Sequence, residues 1–341
     1  MKINQVNKLY NYNLPKELIA KKPSEPRDAA RLLVYDRNSK ITTYSTFKNL
    51  ANFLPANAIL VFNQTRVIPA RFNLYKPTGG KVNALYLSFE EKYLKILANK
   101  NLNPGEELFF ENTSHKFRVE KKHNGVYFIK TPISKNKIQS ILLQHGLTPL
   151  PPYMKDSPLT EKQRRGAYQT IFAKKGESVA APTASLHFTQ NLLKEIKKKG
   201  IQLKYVRLDV NLGTFAKLTE EQLKKQKLHL ENYYIDKKTA EFLINAKKQK
   251  KPIVAVGTTV VRTLESFAKS RKLKNSTDLF ISPGYKFKMT DCLITNFHVP
   301  ESSLLMLVSA LTGRKELLKL YNDAIEKKLR FFSFGDGMLV K

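Results

Sequence analysis

The apolar residues of this chain gather in short unbroken blocks that end abruptly in polar ones. Ile253–Val256 and Cys292–Ile294 have the continuous hydrophobicity of strands covered on both faces. The first breaks into Gly257, Thr258, Thr259 and Arg262, the second into Thr295, Asn296 and His298. A third block, Ala58–Phe62, ends in Asn63, Gln64, Thr65 and Arg66. Open α/β sheets bind ligands at the carboxyl ends of buried strands, so these clusters predict one site. Helical periods fill the intervals. Thr189 caps a helix through Lys199, with Leu192, Leu193 and Ile196 on one face and Gly200 closing it. Thr219 and Gln222 form a capping box, Asp236 opens a helix to about Gln249, and Leu304–Val308 suits a core helix. Leu317, Leu320, Tyr321, Ala324 and Ile325 keep the period near the C-terminus.

Between about Val67 and Ile133 the texture changes. Short alternating segments are broken by Thr78-Gly79-Gly80, Asn103-Pro104-Gly105 and His123-Asn124-Gly125, with no convincing helix. Such spacing predicts a small β-barrel or sandwich inserted into the α/β chain. Pro149-Leu150-Pro151-Pro152-Tyr153 reads as a stiff extended return linker.

Composition narrows the class. At 341 residues and 42% apolar content the chain can bury a large core and form two domains. No apolar run approaches the roughly 20 residues that span a bilayer, and MKINQVNKLYNYNL lacks the apolar centre of a signal peptide. One cysteine, Cys292, excludes an internal disulfide and Cys-based metal sites. A cytoplasmic protein with no membrane partner is the expectation. The net charge of +32 predicts a polyanionic partner. Genomic A/T bias accounts for lysine outnumbering arginine, but not for only 28 acidic residues.

Three features could carry chemistry. Gly257-Thr258-Thr259 lies where a strand turns into a helix, and a helix N-terminus suits a carboxylate or phosphate; Thr is equally an ordinary cap. If Leu228–Ile235 is a strand, His229, Glu231 and Tyr233 share a face, with alternate residues roughly 6.6–7 Å apart. An imidazole and a carboxylate so placed could deprotonate a small molecule, or merely form a solvated face. The small-residue loop Ala180–Phe188, with Thr183 and His187, would let a purine lie close to backbone; tight turn packing is the plain alternative. His187, His229 and His298 lack metal-ligand spacing. Gly79-Gly80-Lys81 is more simply a hairpin turn than a phosphate nest.

The segments ILVFNQTRVIPARF, PLPPY, YQTIFAKKGESVAAPTASLHFT, VAVGTTVVRTLES, PGYKFKMTDCLITNFHVPESSLLMLVSA and RFFSFGDGML, in this order, resemble the S-adenosylmethionine:tRNA ribosyltransferase-isomerase family over nearly the full length. The resemblance implies an α/β main domain with a mixed sheet, residues 1–66 and 151–341, interrupted by an inserted small β-barrel domain, residues 67–150. It implies a queuosine-pathway enzyme that transfers and isomerises the ribosyl group of S-adenosylmethionine onto 7-aminomethyl-7-deazaguanine in tRNA, giving epoxyqueuosine and releasing adenine and methionine. No metal or redox cofactor is implied, since S-adenosylmethionine is consumed. The expected partners are tRNAs with a GUN anticodon (aspartate, asparagine, histidine and tyrosine acceptors), bound by a monomer. His229, Glu231 and Asp209 become the catalytic candidates. Asn63, Thr65, Arg66, Thr183, His187, Gly257, Thr258, Thr259, Arg262, Tyr285, Asn296 and His298 become the substrate-binding ones. The chain also departs from the family pattern: Asp209 and Asn211 stand in L-H-V-G-x-G-T-F, here Leu208–Phe215; Leu230 stands in M-H-S-E; and Asn83 ends G-G-K-[VI]-E. Aspartate for histidine changes charge and donor capacity. That leaves open a diverged paralogue that binds RNA without catalysis or acts on a different modified base.

Overall fold

A computed structural model describes residues 3–111, 113, 115–211 and 218–341. Nine strands form a mixed sheet in the order 274–279, 227–234, 202–208, 59–63, 253–256, 292–296, 337–340, 31–35 and 42–46. The four strands Gln202–Leu208, Ile59–Asn63, Ile253–Val256 and Cys292–Asn296 run parallel side by side. Their carboxyl ends therefore share one rim.

The unbroken apolar blocks follow from cores on both faces. Ile59, Val61, Ile253, Ala255 and Leu293 enter one core with the helices Thr258–Ser270, Ser303–Thr312 and Arg314–Glu326. Leu60, Phe62, Val254, Val256 and Ile294 enter the other, with the helix Gln190–Lys198. Alternate side chains feed opposite layers, so no position can be polar until the strand ends. The predicted caps hold. Thr189 accepts from the Leu192 amide, Thr219 and Gln222 form their reciprocal box, and Asp236 caps Lys237–Lys248.

Between residues 71 and 130, six antiparallel strands close into a barrel. Its interior is a separate core including Phe72, Leu74, Tyr86, Ile96, Phe117 and Ile129. Gly79 and Gly80 turn a hairpin between Arg71–Tyr75 and Lys81–Glu90. Two elements differ from expectation. A helix, Lys135–His145, is capped by Ser134 and packs Ile138, Ile141 and Leu142 into the barrel core. Only three of its eleven residues are buried, so its apolar signal is weak. Pro152–Met154 is a short 3₁₀ turn rather than extended chain, because a proline at the first position already has a helical φ. No helix among the described residues is long and apolar enough to cross a membrane.

Glu265, wholly buried on the Thr258–Ser270 helix, anchors the loop that leads to Cys292–Asn296. Its carboxylate accepts from the amides of Lys288 (2.8 Å), Met289 (3.0 Å) and Thr290 (2.9 Å). Bonds to a charged acceptor contribute about 1.5–3 kcal/mol each, and orphaned buried amides cost more. Glu265→Ala should lower the unfolding free energy by at least about 3 kcal/mol in a denaturant titration; a loss under about 1 kcal/mol would show that the anchor is dispensable.

Candidate active site

At the rim, Ile253–Val256 continues through Gly257, whose amide donates to the Ile294 carbonyl at 2.8 Å. Gly257 holds φ 97°, ψ 152° and offers no side chain to cap the helix it begins. A side chain there would be strained. The result is a 13-residue helix with bare first-turn N–H groups at Thr258 and Thr259, carrying the positive end of the dipole.

These residues line a pocket with Ala181, Pro182, Thr183 and Ala184, Val210, Thr295, Asn296 and His298, and Leu304. Its volume is about 40 Å³. Asn296 is buried; its amide group meets His187 Nε2 at 3.2 Å, while its other polar atom has no partner. Whichever way that amide is turned, one buried hydrogen-bonding atom of a pocket-lining residue has no hydrogen-bond partner. Thr295 Oγ1 and His298 Nε2 pair at 2.7 Å, and Tyr321 accepts from the His298 main chain at 2.9 Å. Burial pushes the His298 imidazole down to about 3. His187 stacks on Phe47 with ring centres 4.0 Å apart and is likewise pushed down to about 3, by burial first and then by Arg330 and Arg27. Both rings are therefore neutral at pH 7.

Other predicted residues stand behind the pocket. Asn63 is fully buried. Its amide donates to the Leu208 carbonyl (2.9 Å) and Thr259 Oγ1 (3.3 Å), while its oxygen accepts from the amides of Thr65 (3.1 Å) and Leu208 (3.2 Å). It has no valence left for a substrate. Thr65 Oγ1 lies 2.7 Å from Asp209 Oδ1 and 2.8 Å from Ser178 Oγ, which accepts from the Val210 amide at 2.8 Å. A carboxylate only accepts, so the chain is directional: Val210 N–H to Ser178, Ser178 to Thr65, Thr65 to Asp209. Gly176, at φ 129°, passes so close that a Cβ would sit 2.4 Å from both Asp209 Oδ1 and Thr65 Oγ1. Arg66 is exposed and lines none of this.

His229 and Glu231 do not share a face, contrary to strict alternation along the strand. The pairing of Lys227–Tyr234 with Lys274–Leu279 slips between Lys227 and Glu231, leaving His229 exposed and Glu231 buried. Glu231 pairs with the buried Arg262 guanidinium and accepts from the Asn211 amide at 3.0 Å. Arg262 also donates to the carbonyls of Leu279 (3.2 Å) and Thr277 (3.3 Å), so it is spent inside the sheet edge rather than on the pocket. Tyr285, its hydroxyl pushed up by burial and then by Glu265, donates to that carboxylate at 3.3 Å and lies outside the pocket.

Of the departures, Asn83 sits on the barrel, its amide on Asn99 Oδ1, and Leu230 is exposed. Asn211 brackets Glu231 and the Leu230 carbonyl. Leu212, Gly213, Thr214 and Phe215 lie outside the described residues. Val210 and Leu304 line the pocket although they look like ordinary core positions in the sequence; only their places next to a strand end and in a helix's first turn hint at it. No cluster of three metal-ligating side chains occurs among the described residues.

The family described as "Queuosine biosynthesis protein" matches residues 7–340. The chain is 42% identical, over 97% of its length and 98% of theirs, to the S-adenosylmethionine:tRNA ribosyltransferase-isomerases of Sulfurihydrogenibium sp. and Aquifex aeolicus. The Treponema denticola protein of that name is 41% identical over 98% of this chain and 99% of its own. Among solved structures, the S-adenosylmethionine tRNA ribosyltransferase of Thermotoga maritima superposes with a TM-score of 0.56 at 31% identity, covering 98% of this chain and 100% of that one. A mixed sheet carrying a closed antiparallel barrel, with near-complete coverage in every comparison, places this chain among the queuosine biosynthesis enzymes, the tRNA-modifying transferase-isomerase family.

Proposed function

We propose that the rim pocket binds S-adenosylmethionine and that its ribosyl group is transferred to, and isomerised on, 7-aminomethyl-7-deazaguanine in the anticodon of GUN tRNAs, with release of adenine and methionine. The observation that carries this is the pairing of bare helix amides at Thr258 and Thr259 with the unpartnered Asn296 amide atom, across from the small-residue wall Ala181–Ala184. The amides suit the methionine carboxylate. The small wall lets a flat purine approach backbone, and Asn296 can read its edge or a ribose hydroxyl. Ligand pockets typically occupy 300–1,000 Å³. The pocket's volume of about 40 Å³ is far below that, so a bound nucleoside must reach beyond it to the open rim, where a macromolecular acceptor can meet it.

The sulfonium acidifies its neighbouring C5′ hydrogens, so one base can begin the reaction. His229 is our candidate, being an exposed imidazole. The main chain running past Leu208, the end of its strand, reaches Glu231 and the Leu230 carbonyl through Asn211, which puts the Leu230 stretch at the carboxyl rim. Asp209 holds Thr65 and so shapes the wall at Val210. Glu231 acts through Arg262 and Asn211 rather than on substrate. We place the catalytic unit in residues 1–66 and 151–341 and the barrel unit in 67–150, working as a cytoplasmic monomer.

Incubation with methionine-labelled S-adenosylmethionine should release adenine and methionine only when the tRNA carries the aminomethyl-deazaguanine base. Tight tRNA binding with no release would instead identify a non-catalytic RNA binder. Glu231→Gln should cost about 3–5 kcal/mol of stability, the usual penalty for stripping one partner from a buried ion pair, whereas Glu231→Leu with Arg262→Met should recover most of it. A single variant as stable as wild type would remove the pair from this role. His187 and His298 lie near 3 when folded but near 6.5 when unfolded. As pH falls below about 6.5 the unfolded chain gains protons that the folded one refuses, so stability drops by roughly 1.4 kcal/mol per unit for each ring. Denaturation followed from pH 7 to 4 should show this slope, reduced in His187→Gln; a flat profile would mean that the rings protonate in place.

A further inference from the structure

We propose that the outer face of the barrel carries a stacking platform for unpaired RNA bases, centred on Phe128. Across the three strands Tyr93–Ala98, Val126–Lys130 and Lys116–His123, register sets Lys95, Phe128 and Lys121 directly opposite one another, and Tyr93, Lys130 and Arg118 in the next row. Their neighbours Leu94, Ile96, Phe117, Val119, Tyr127 and Ile129 fill the barrel core, so the two rows face outward. The Phe128 ring is half-buried, with Lys121 Nζ 5.1 Å and Lys95 Nζ 5.4 Å from its centre and Tyr93 edge-on at 6.1 Å. Lys95 is partnered by Glu90, whereas Arg118, Lys121 and Lys130 are exposed.

The half-buried Phe128 ring keeps part of its surface open on the barrel's outer face, and cations flanking an aromatic face fit one occupant. Phosphates take the lysines and arginine, while a splayed base stacks on the ring. Duplex RNA keeps its bases stacked inside and offers none to the ring, so the occupant is a loop. This inference rests on the tRNA reading of the rim pocket and names the second surface that holds the same substrate.

The test measures affinity for an anticodon stem-loop and for a blunt duplex of equal length, by filter binding at several salt concentrations. Phe128→Ala should weaken stem-loop binding about tenfold and leave duplex binding unchanged, with Phe128→Tyr restoring it. Lys121→Ala with Lys130→Ala should lower the salt slope by about two. Adenine release at saturating tRNA should remain at wild-type rate in all of them. Wild-type protein that binds no tRNA would sink the functional reading itself. Wild-type binding with Phe128→Ala unchanged, or equal losses on stem-loop and duplex, would overturn the platform while leaving that reading intact. Unchanged thermal unfolding of Phe128→Ala keeps misfolding out of the comparison.

Discussion

The carboxamide of Asn63 is the constraint on which the rim depends. Ile59–Asn63 ends here, but the neighbouring strand runs on to Leu208, whose amide and carbonyl would otherwise be buried without partners. Asn63 bonds both, with its oxygen 3.2 Å from the amide and its nitrogen 2.9 Å from the carbonyl, so the side chain imitates one more peptide unit of the ladder. The same oxygen takes the Thr65 amide two residues on, the local turn that asparagine favours. The nitrogen also reaches Thr259 Oγ1, on the helix whose bare amides face the pocket. One neutral amide thus fixes a strand end, the chain's exit toward the barrel and a helix start. Aspartate would lose the donors and alanine would orphan the Leu208 groups.

From that exit the chain reaches the barrel, and on its return Lys175–Ser178 lies parallel to Thr65–Val67. Glu177, in the middle of the returning strand, is gripped from the barrel side by the Tyr86 hydroxyl (2.8 Å), Gln139 (2.7 Å) and Lys135 (2.5 Å). Its neighbours Gly176 and Ser178 contact the Asp209–Thr65 chain and, through the Val210 amide, the pocket wall. A four-residue strand therefore carries barrel contacts at Glu177 and, at Gly176 and Ser178 on either side of it, contacts to the groups behind the pocket wall. Asp209, where the family pattern has histidine, sits within this joint. As an acceptor-only group it fixes the direction of the hydroxyl chain, which histidine could leave in either sense.

What the sequence disclosed and what it hid have physical causes. The blocks ending at Val256 and Ile294 and the break at Gly257 were legible because two-sided burial forbids polar residues until a strand ends. The caps at Thr189, Thr219 and Asp236 were legible because capping is local. The partition of site residues was not. Asn63, Thr65 and Arg262 are polar residues at strand and helix ends, as ligand-binding groups are, yet the first two satisfy buried backbone and hydroxyl groups and the third a buried carboxylate. Nothing local separates an asparagine that holds a strand from Asn296, a pocket-lining residue with an unpartnered amide atom. The slip that exposes His229 depends on its partner strand, far along the chain. The helix Lys135–His145 escaped because its apolar stripe is narrow and its host, the barrel, supplies the rest of the core.

Charge acquires a sharper meaning once burial is known. The chain has only 28 acidic residues, and several are turned inward. Glu265 is spent on three amides, Asp336 on the amides of Arg31 and Arg330, Asp28 on the Thr189 hydroxyl and Glu231 on Arg262. Arg262 is itself buried, but Arg118, Lys121 and Lys130 keep their charges in water. Inward acids are shielded by their own hydrogen bonds, so the field a polyanion meets is set mainly by outward cations. That field raises encounter rates and weakens with salt, but it cannot choose one tRNA from another. Selection must come from groups whose geometry is fixed before the RNA arrives. In this fold the groups at the rim are fixed in that way, because Asn63 holds both the Thr259 helix and the Leu208 strand end.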